Sequence, residues 1–387
     1  MRTRPSIVRG LFIVAVLLAG SARADEAVDS LSQLVGDLEN TQAAIAQGDQ
    51  AAYAAQPKIL RKISDAITAA KPEAWRNSRE ARAAIIYALS GGQPRILLRL
   101  IETGNVAKDD EKLMRGAIAY QLGHEAEARQ LLDDVDPKSL GSALGGQIAF
   151  VQSILLTTID AKKSVALLDL ARLMMPGGLV EEAALRREVF IVGDATHDAD
   201  KFMALAREYL SRFPKSPFAN NFLKSFTATL IRLRLAEDVD NFPKLESMAE
   251  SLTRDERRSL FLTIARAALV GGKIAMADVG ASQALTIAQP DSPDEARAKL
   301  YQAAARVLTD RRESAIAQLQ AIDSKKLPKR DETLLTAART LARRVYENSA
   351  APPENAPPGP DDPVSATIHL AEAALLKAQQ QTSAGAP

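Results

Sequence analysis

The chain has 387 residues, with 49 lysines and arginines against 48 aspartates and glutamates, and no cysteine. A balance this even excludes the strongly basic face of a nucleic-acid binder, and the missing cysteines exclude disulfides, thiolate metal sites and thiol nucleophiles. Hydrophobic residues at 47% are enough for a packed interior, but aromatics at 4% make that interior aliphatic.

Residues 1–24 read as an export signal. Arg2, Arg4 and Arg9 form a positive start, 11–19 is an unbroken apolar run, and Ala22-Arg23-Ala24 is the small-x-small pattern that predicts cleavage before Asp25. The apolar run is well short of the ~20 residues that span a bilayer. No later segment is long and apolar enough to span, so no stable membrane insertion is expected once the signal is removed. Removal takes four arginines and no acid, leaving 45 basic against 48 acidic residues, a net charge of −3. An exported chain without disulfides depends on core packing alone, which favours a large regular architecture.

From residue 25 to 348 the spacing predicts helix almost throughout. Leu113, Gly116, Ala117 and Tyr120 follow i, i+3, i+4, i+7, as do Leu167, Leu170, Ala171 and Met174, and Leu260, Ile264, Ala267 and Ala268 follow i, i+4, i+7, i+8. Leu300, Ala304, Val307 and Leu308 make a similar stripe. Breakers fall at Gly48-Asp49, Gly91-Gly92, Gly123, Asp160, Gly193-Asp194, Asp238, Gly271-Gly272 and Asp310, spaced 32 to 44 residues apart. That interval brackets the tetratricopeptide length of about 34 residues. Second helices follow the turns, with Ala128, Leu131 and Leu132 after Gly123 and Ala277, Ala281 and Leu285 after Gly271. The prediction is an all-α fold, a right-handed α-solenoid of degenerate tetratricopeptide-like helical hairpins, because one hairpin cannot bury its own apolar stripe and stacked hairpins bury each other's. A compact helical domain without superhelical order is the rival reading. Residues 349–363 read as a proline-rich linker, and residues 364–387 as an amphipathic helix with a disordered C-terminus. In that helix Ile368, Ala371, Leu375 and Leu376 share a face; it either docks back on the body or binds something else.

Catalytic templates fail along this chain. His124-Glu125 has no second histidine four residues on, and Gly271-Gly272-Lys273 lacks the upstream glycine and the hydroxyl of a phosphate loop. In 141–145 the serine stands one place too early for a nucleophile elbow. Asp194, His197, Asp198 and Asp200 are the best cluster of metal-ligand types. They complete no known ligand set, so Asp194 is expected to cap a helix whose first turn the others solvate. Phe218, Phe222 and Phe226 lie four apart behind Pro214 and Pro217 and are expected in the core between repeats. Lys325, Lys326, Lys329 and Arg330 make a short basic run across a loop, expected to be solvated. No cofactor, metal or small-molecule substrate is expected. What remains is surface, and a solenoid's concave face suits a peptide or protein domain.

Residues 84–94, AIIYALSGGQP, and 161–189, AKKSVALLDLARLMMPGGLVEEAALRREV, resemble the bacterial motility family MotC, and 209–223, YLSRFPKSPFANNFL, is similar to the segment that follows in that family. The resemblance covers about residues 30–290, with LARLMMPGGLVEEAALRR its most specific block. It implies a non-enzymatic periplasmic accessory of the flagellar motor that binds the periplasmic region of the stator subunit MotB and is required for rotation. The partner contact is expected at Gly177, Gly178, Glu181, Glu182, Arg186 and Arg187, where the glycines open the backbone and the charged groups offer pairing. The competing reading of this stretch is a plain junction between repeats whose acids cap the next helix. Two other function classes stay open: an envelope-assembly scaffold unrelated to motility, and an exported helical-toroid enzyme, for which three histidines and few aromatics are poor material.

Overall fold

A computed structural model of the chain describes residues 30–350. The signal segment with Ala22, Ala24 and Asp25, the bulk of the linker and the terminal amphipathic segment lie outside the described residues.

The first hairpin shows how the local chemistry works. Ser30 and Gln33 form a reciprocal capping box that starts α1 (Leu31–Ala46). Gly48 then takes φ +89°, a conformation costly for any residue with a Cβ, and the Asp49 carboxylate accepts the amides of Ala51 and Ala52 to start α2 (Gln50–Ala69). The pattern repeats as α3 (Ser78–Leu89) with α4 (Arg95–Glu102), α5 (Lys108–Gln121) with α6 (Glu125–Leu132), and α7 (Ser142–Leu156) with α8 (Ala161–Met174). It continues as α9 (Leu179–Ile191) with α10 (Ala199–Arg212), α11 (Ala219–Arg232) with α12 (Phe242–Ala249), α13 (Arg254–Val270) with α14 (Ile274–Ile287), and α15 (Pro293–Arg306) with α16 (Arg312–Ala321). The last helix among the described residues, α17 (Lys329–Ala350), runs through the first two residues of the linker range. No strand occurs among the described residues. Each of the eight breakers read from the sequence falls between the two helices of one pair, so the chain is an all-α stack of tetratricopeptide-like hairpins.

The chain divides into two compact units at Phe226/Thr227, inside α11. In the first unit α3 packs on α1, α5 and α7, and α7 packs on α8 and α9. The α7–α8 approach is close because α7 carries small residues there: a Cβ at Gly145 would overlap the Pro137 carbonyl and the Met174 side chain. Ser164 sits fully buried in the same seam and donates to the Ser153 carbonyl at 2.7 Å. The row of hairpins also curls until α1 touches α9, and a Cβ at Gly48 would overlap the Lys215 backbone between α10 and α11.

Two stripes differ from the sequence reading. On α8 the buried face is Ser164, Val165, Leu168 and Ala171, one position away from the Leu167–Leu170–Met174 phase, whose members are half-buried. Leu308 lies past the end of α15 and is exposed, while Leu300 and Val307 are buried. Phe222 and Phe226 are core residues, as their spacing suggests, and Phe218 is partly exposed.

In the second unit α14 lies against both α13 and α15, and α16 against both α15 and α17. Asp331, fully buried on α17, gathers three donors: Arg266 Nε of α13 at 3.1 Å, Arg297 Nε at 3.2 Å and the Tyr301 hydroxyl at 2.9 Å, the last two from α15. A buried carboxylate needs such partners, and here they fix α17 to two other first helices of hairpins.

Candidate protein-binding groove

The most elaborate polar construction in the first unit is built around α9. Three glutamates, Glu181, Glu182 and Glu188, occupy core-facing positions among Ala184, Leu185 and Val189, and all three are at most 1% exposed. Each is neutralised from within the chain. Glu181 meets Arg212 at 2.5 Å and accepts the Gly177 amide at 2.5 Å. Glu182 accepts from Arg186 Nε at 3.0 Å, from the Tyr209 hydroxyl at 2.6 Å and from the Ser216 hydroxyl at 3.3 Å. Glu188 meets Arg172 of α8 at 2.7 Å and Lys201 of α10 at 3.0 Å, and Arg172 continues to Glu208 at 2.6 Å. The result is a lattice of charge that staples α8, α9 and α10 together.

The pKa shifts follow from this burial. Desolvation pushes the Glu188 carboxyl up despite Lys201 and Arg172 beside it. Burial opposes the charge on Arg172, but hydrogen bonds to Glu208 and Glu188 outweigh it and hold the guanidinium more basic than usual. Burial, reinforced by the Glu182 charge, drives the Tyr209 phenol far up, so it serves as a donor throughout the ordinary pH range.

The expected contact residues therefore divide. Gly177, at φ +80° with open space around it, and Gly178 form the junction between α8 and α9. The Glu181 and Glu182 charges lie beneath the surface, committed to Arg212, Arg186 and Tyr209. Arg186 is half-buried, and its guanidinium lies 4.7 Å from the centre of the Phe218 ring, a cation–π contact. Arg187 is different. It has no carboxylate partner among the described residues: its Nε is buried without an acceptor, and its Nη2 donates to the Thr157 hydroxyl at 3.4 Å. Burial lowers its pKa, and the neighbouring Arg186 charge lowers it further against the pull of Tyr120.

Two depressions border the half-buried strip of α9. Arg186, Arg187, Phe190 and Ile191, with Thr157, Asp194 and Ala195, line one of about 350 Å³. Leu179, Val180 and Ala183 line the other, of about 240 Å³, opposite Gln147, Phe150 and Val151 of α7. Helices α7 and α9 thus present a groove whose walls are largely apolar, with Asp194 at one end, and whose Arg187 guanidinium is neutralised by no carboxylate among the described residues. Such a surface fits an extended segment that supplies a carboxylate.

Metal chemistry has no comparable construction: among the described residues no group of three His, Cys, Asp or Glu side chains is placed to hold an ion. Asp198, rather than Asp194, caps α10 by accepting the Lys201 amide at 2.9 Å, and Asp194 lies in the π turn Val192–Thr196 before it. His124 stands exposed at the start of α6, 3.5 Å from Glu127. Lys326 of the basic run pairs with Asp291. No helix among the described residues is long and apolar enough to cross a membrane.

Sequence reasoning missed Arg172, Lys201, Glu208, Tyr209 and Arg212 because their partners are on other helices. One signal was available: glutamates at positions 181, 182 and 188 share the helical face of Ala184, Leu185 and Val189, and an acid on a core face requires internal partners.

The family model described as chemotaxis protein MotC matches residues 1–386. The chain is 27% identical over 369 residues to the chemotaxis protein MotC of Rhizobium meliloti (strain 1021), covering 95% of this chain and 82% of that one. Among solved structures, a crystal structure of the P58(IPK) TPR domain aligns at 14% identity over 83% of this chain and 94% of that chain, with a TM-score of 0.28. The match over nearly the full length means that the chain belongs to the family of the chemotaxis protein MotC.

Proposed function

We propose that the chain is a non-enzymatic periplasmic accessory of the flagellar motor that binds the periplasmic region of the stator subunit MotB and is required for rotation. Membership of a chemotaxis-protein family carries this reading. The export signal read at Arg2 to Ala24 supports the compartment, and the hairpin stack supports a binding role over a chemical one. The contact lies on the α7–α9 groove. Arg187 receives a partner carboxylate, Arg186 and the Gly177-Gly178 junction border it, and Glu181 and Glu182 hold the wall rigid from beneath. A stator must present its periplasmic region in a load-bearing arrangement. A clamp that binds one conformation better than another shifts the population toward it by that difference in affinity.

Deletion of the gene tests the motor role. Cells are expected to build flagella of normal number and length that do not turn, with rotation restored by the chain supplied in trans. Normal swimming in the deletion strain contradicts the proposal and favours an envelope scaffold unrelated to motility.

A further inference from the structure

The end of the second unit leaves a helix-sized groove open. Earlier in this unit α14, a second helix, lies between the first helices α13 and α15, and α16 lies between α15 and α17. Helix α17 has the position of a first helix, with Leu335, Ala338, Ala342 and the Asp331 carboxylate buried. No second helix follows it among the described residues. On that side α16 and α17 border a groove of about 700 Å³ lined by Ile316, Leu319, Thr340, Ala342, Arg343 and Tyr346. Tyr346 is 65% exposed there, an unusual position for a large aromatic side chain. Arg339 is occupied within the chain, donating to the carbonyls of Leu319, Gln320 and Ile322 at the end of α16. Arg343 has no carboxylate partner among the described residues.

We infer that residues 364–380 of the same chain fill this groove as the second helix of a ninth hairpin, antiparallel to α17. Four observations select this occupant. Val364, Ile368, Ala371, Leu375 and Ala378 follow a 4-3-4-3 spacing that gives one narrow apolar stripe. Asp362-Pro363 ahead of the stripe is a helix-start pair, with the acid as cap and proline at the first helical position. The tether is long enough: residues 351–363, extended by their prolines at ~3.1 Å each, reach about 40 Å, against about 33 Å for the whole 22-residue α17. The charge is complementary, since 351–387 carries Glu354, Asp361, Asp362 and Glu372 against Lys377 alone, facing a groove with Arg343 at its edge. A tethered helix also meets the groove at an effective concentration in the millimolar range, which an untethered partner does not.

The chain contains no cysteine, so engineered pairs report unambiguously. The purified full-length exported chain is prepared with Thr340→Cys/Leu375→Cys and with Tyr346→Cys/Ile368→Cys. A control, Thr340→Cys/Ala373→Cys, places the second thiol on the opposite face of the predicted helix. Under mild oxidation both stripe pairs are expected to form disulfides within one chain, at least about tenfold faster than the control and at a rate independent of protein concentration. Stripe pairs that close no faster than the control overturn the inference. Disulfides that form only between chains, at a rate rising with concentration, overturn it in favour of a second copy occupying the groove. Neither result bears on the motor role, which rests on family membership and whose proposed contact lies on the other unit.

Discussion

The Tyr209 hydroxyl donates to Glu182 Oε1 across 2.6 Å with both side chains buried. This single bond explains why an acid at the start of α9 is not available to a partner: α10 holds it from beneath while Arg186 holds it from its own helix. Replacing Tyr209 by phenylalanine leaves Ser216 and Arg186 as donors and removes the shortest bond. Tyr209→Phe is expected to lower unfolding stability by about 1–3 kcal/mol, the cost of leaving a charged acceptor short of a donor. Urea unfolding measures this, and a loss below about 0.5 kcal/mol would mean that water replaces the phenol and the lattice is loose.

Curling of the first unit can be separated from local backbone effects with two glycines. Gly48 and Gly104 both hold positive φ, +89° and +66°. A Cβ at Gly48 overlaps the Lys215 backbone, whereas nothing lies within 4 Å at Gly104. Gly104→Ala is expected to cost about 1–2 kcal/mol, the backbone term alone. Gly48→Ala adds an overpacking cost of about 1–3 kcal/mol, because the α1–α2 turn must back away from the loop after α10. Equal losses for the two substitutions would show that the turn does not bear on that loop in solution.

Alkaline pH reports on the second unit. Burial pushes the Tyr301 phenol up to about 12, with Arg297 pulling it down and Asp331 supporting the rise. The unfolded phenol titrates near 10, so between about pH 10 and 12 the folded state retains a proton that the unfolded state has released. The contribution is complete below pH 10 and is lost as pH rises through that window. Stability is expected to fall across it by roughly 2–3 kcal/mol more in the wild type than in Tyr301→Phe. Urea unfolding at pH 8 and pH 11.5 measures the difference, and parallel losses would remove the Tyr301–Asp331 bond from the account.

Much of the architecture was legible because turns are written in local chemistry. A glycine needed for positive φ, or an aspartate that caps the next helix, marks a break within a few residues of itself, and Gly48-Asp49 and Asp160 do so. What joins distant segments was not legible. The contact of α1 with α9 depends on the accumulated curl of the intervening helices, which no single turn encodes. The burial phase of α8 was misread by one position because Ser164, a polar residue, takes a core place by donating to the carbonyl of Ser153. At the candidate groove, the charged residues of α9 were visible as charges but not as inward or outward groups. That distinction belongs to their partners: Arg212 lies 31 residues from Glu181, and Tyr209 lies 27 residues from Glu182.

Isothermal titration of the purified chain with the periplasmic region of MotB, using wild type and Arg187→Glu, tests the central claim most directly. The account predicts saturable binding by the wild type and at least about a tenfold loss of affinity in Arg187→Glu, since truncating or reversing one partner of a desolvated charge pair costs about 2–5 kcal/mol. The melting temperature should be unchanged, because Arg187 neutralises no carboxylate among the described residues. Absence of wild-type binding, or equal affinity for the two proteins, would contradict it.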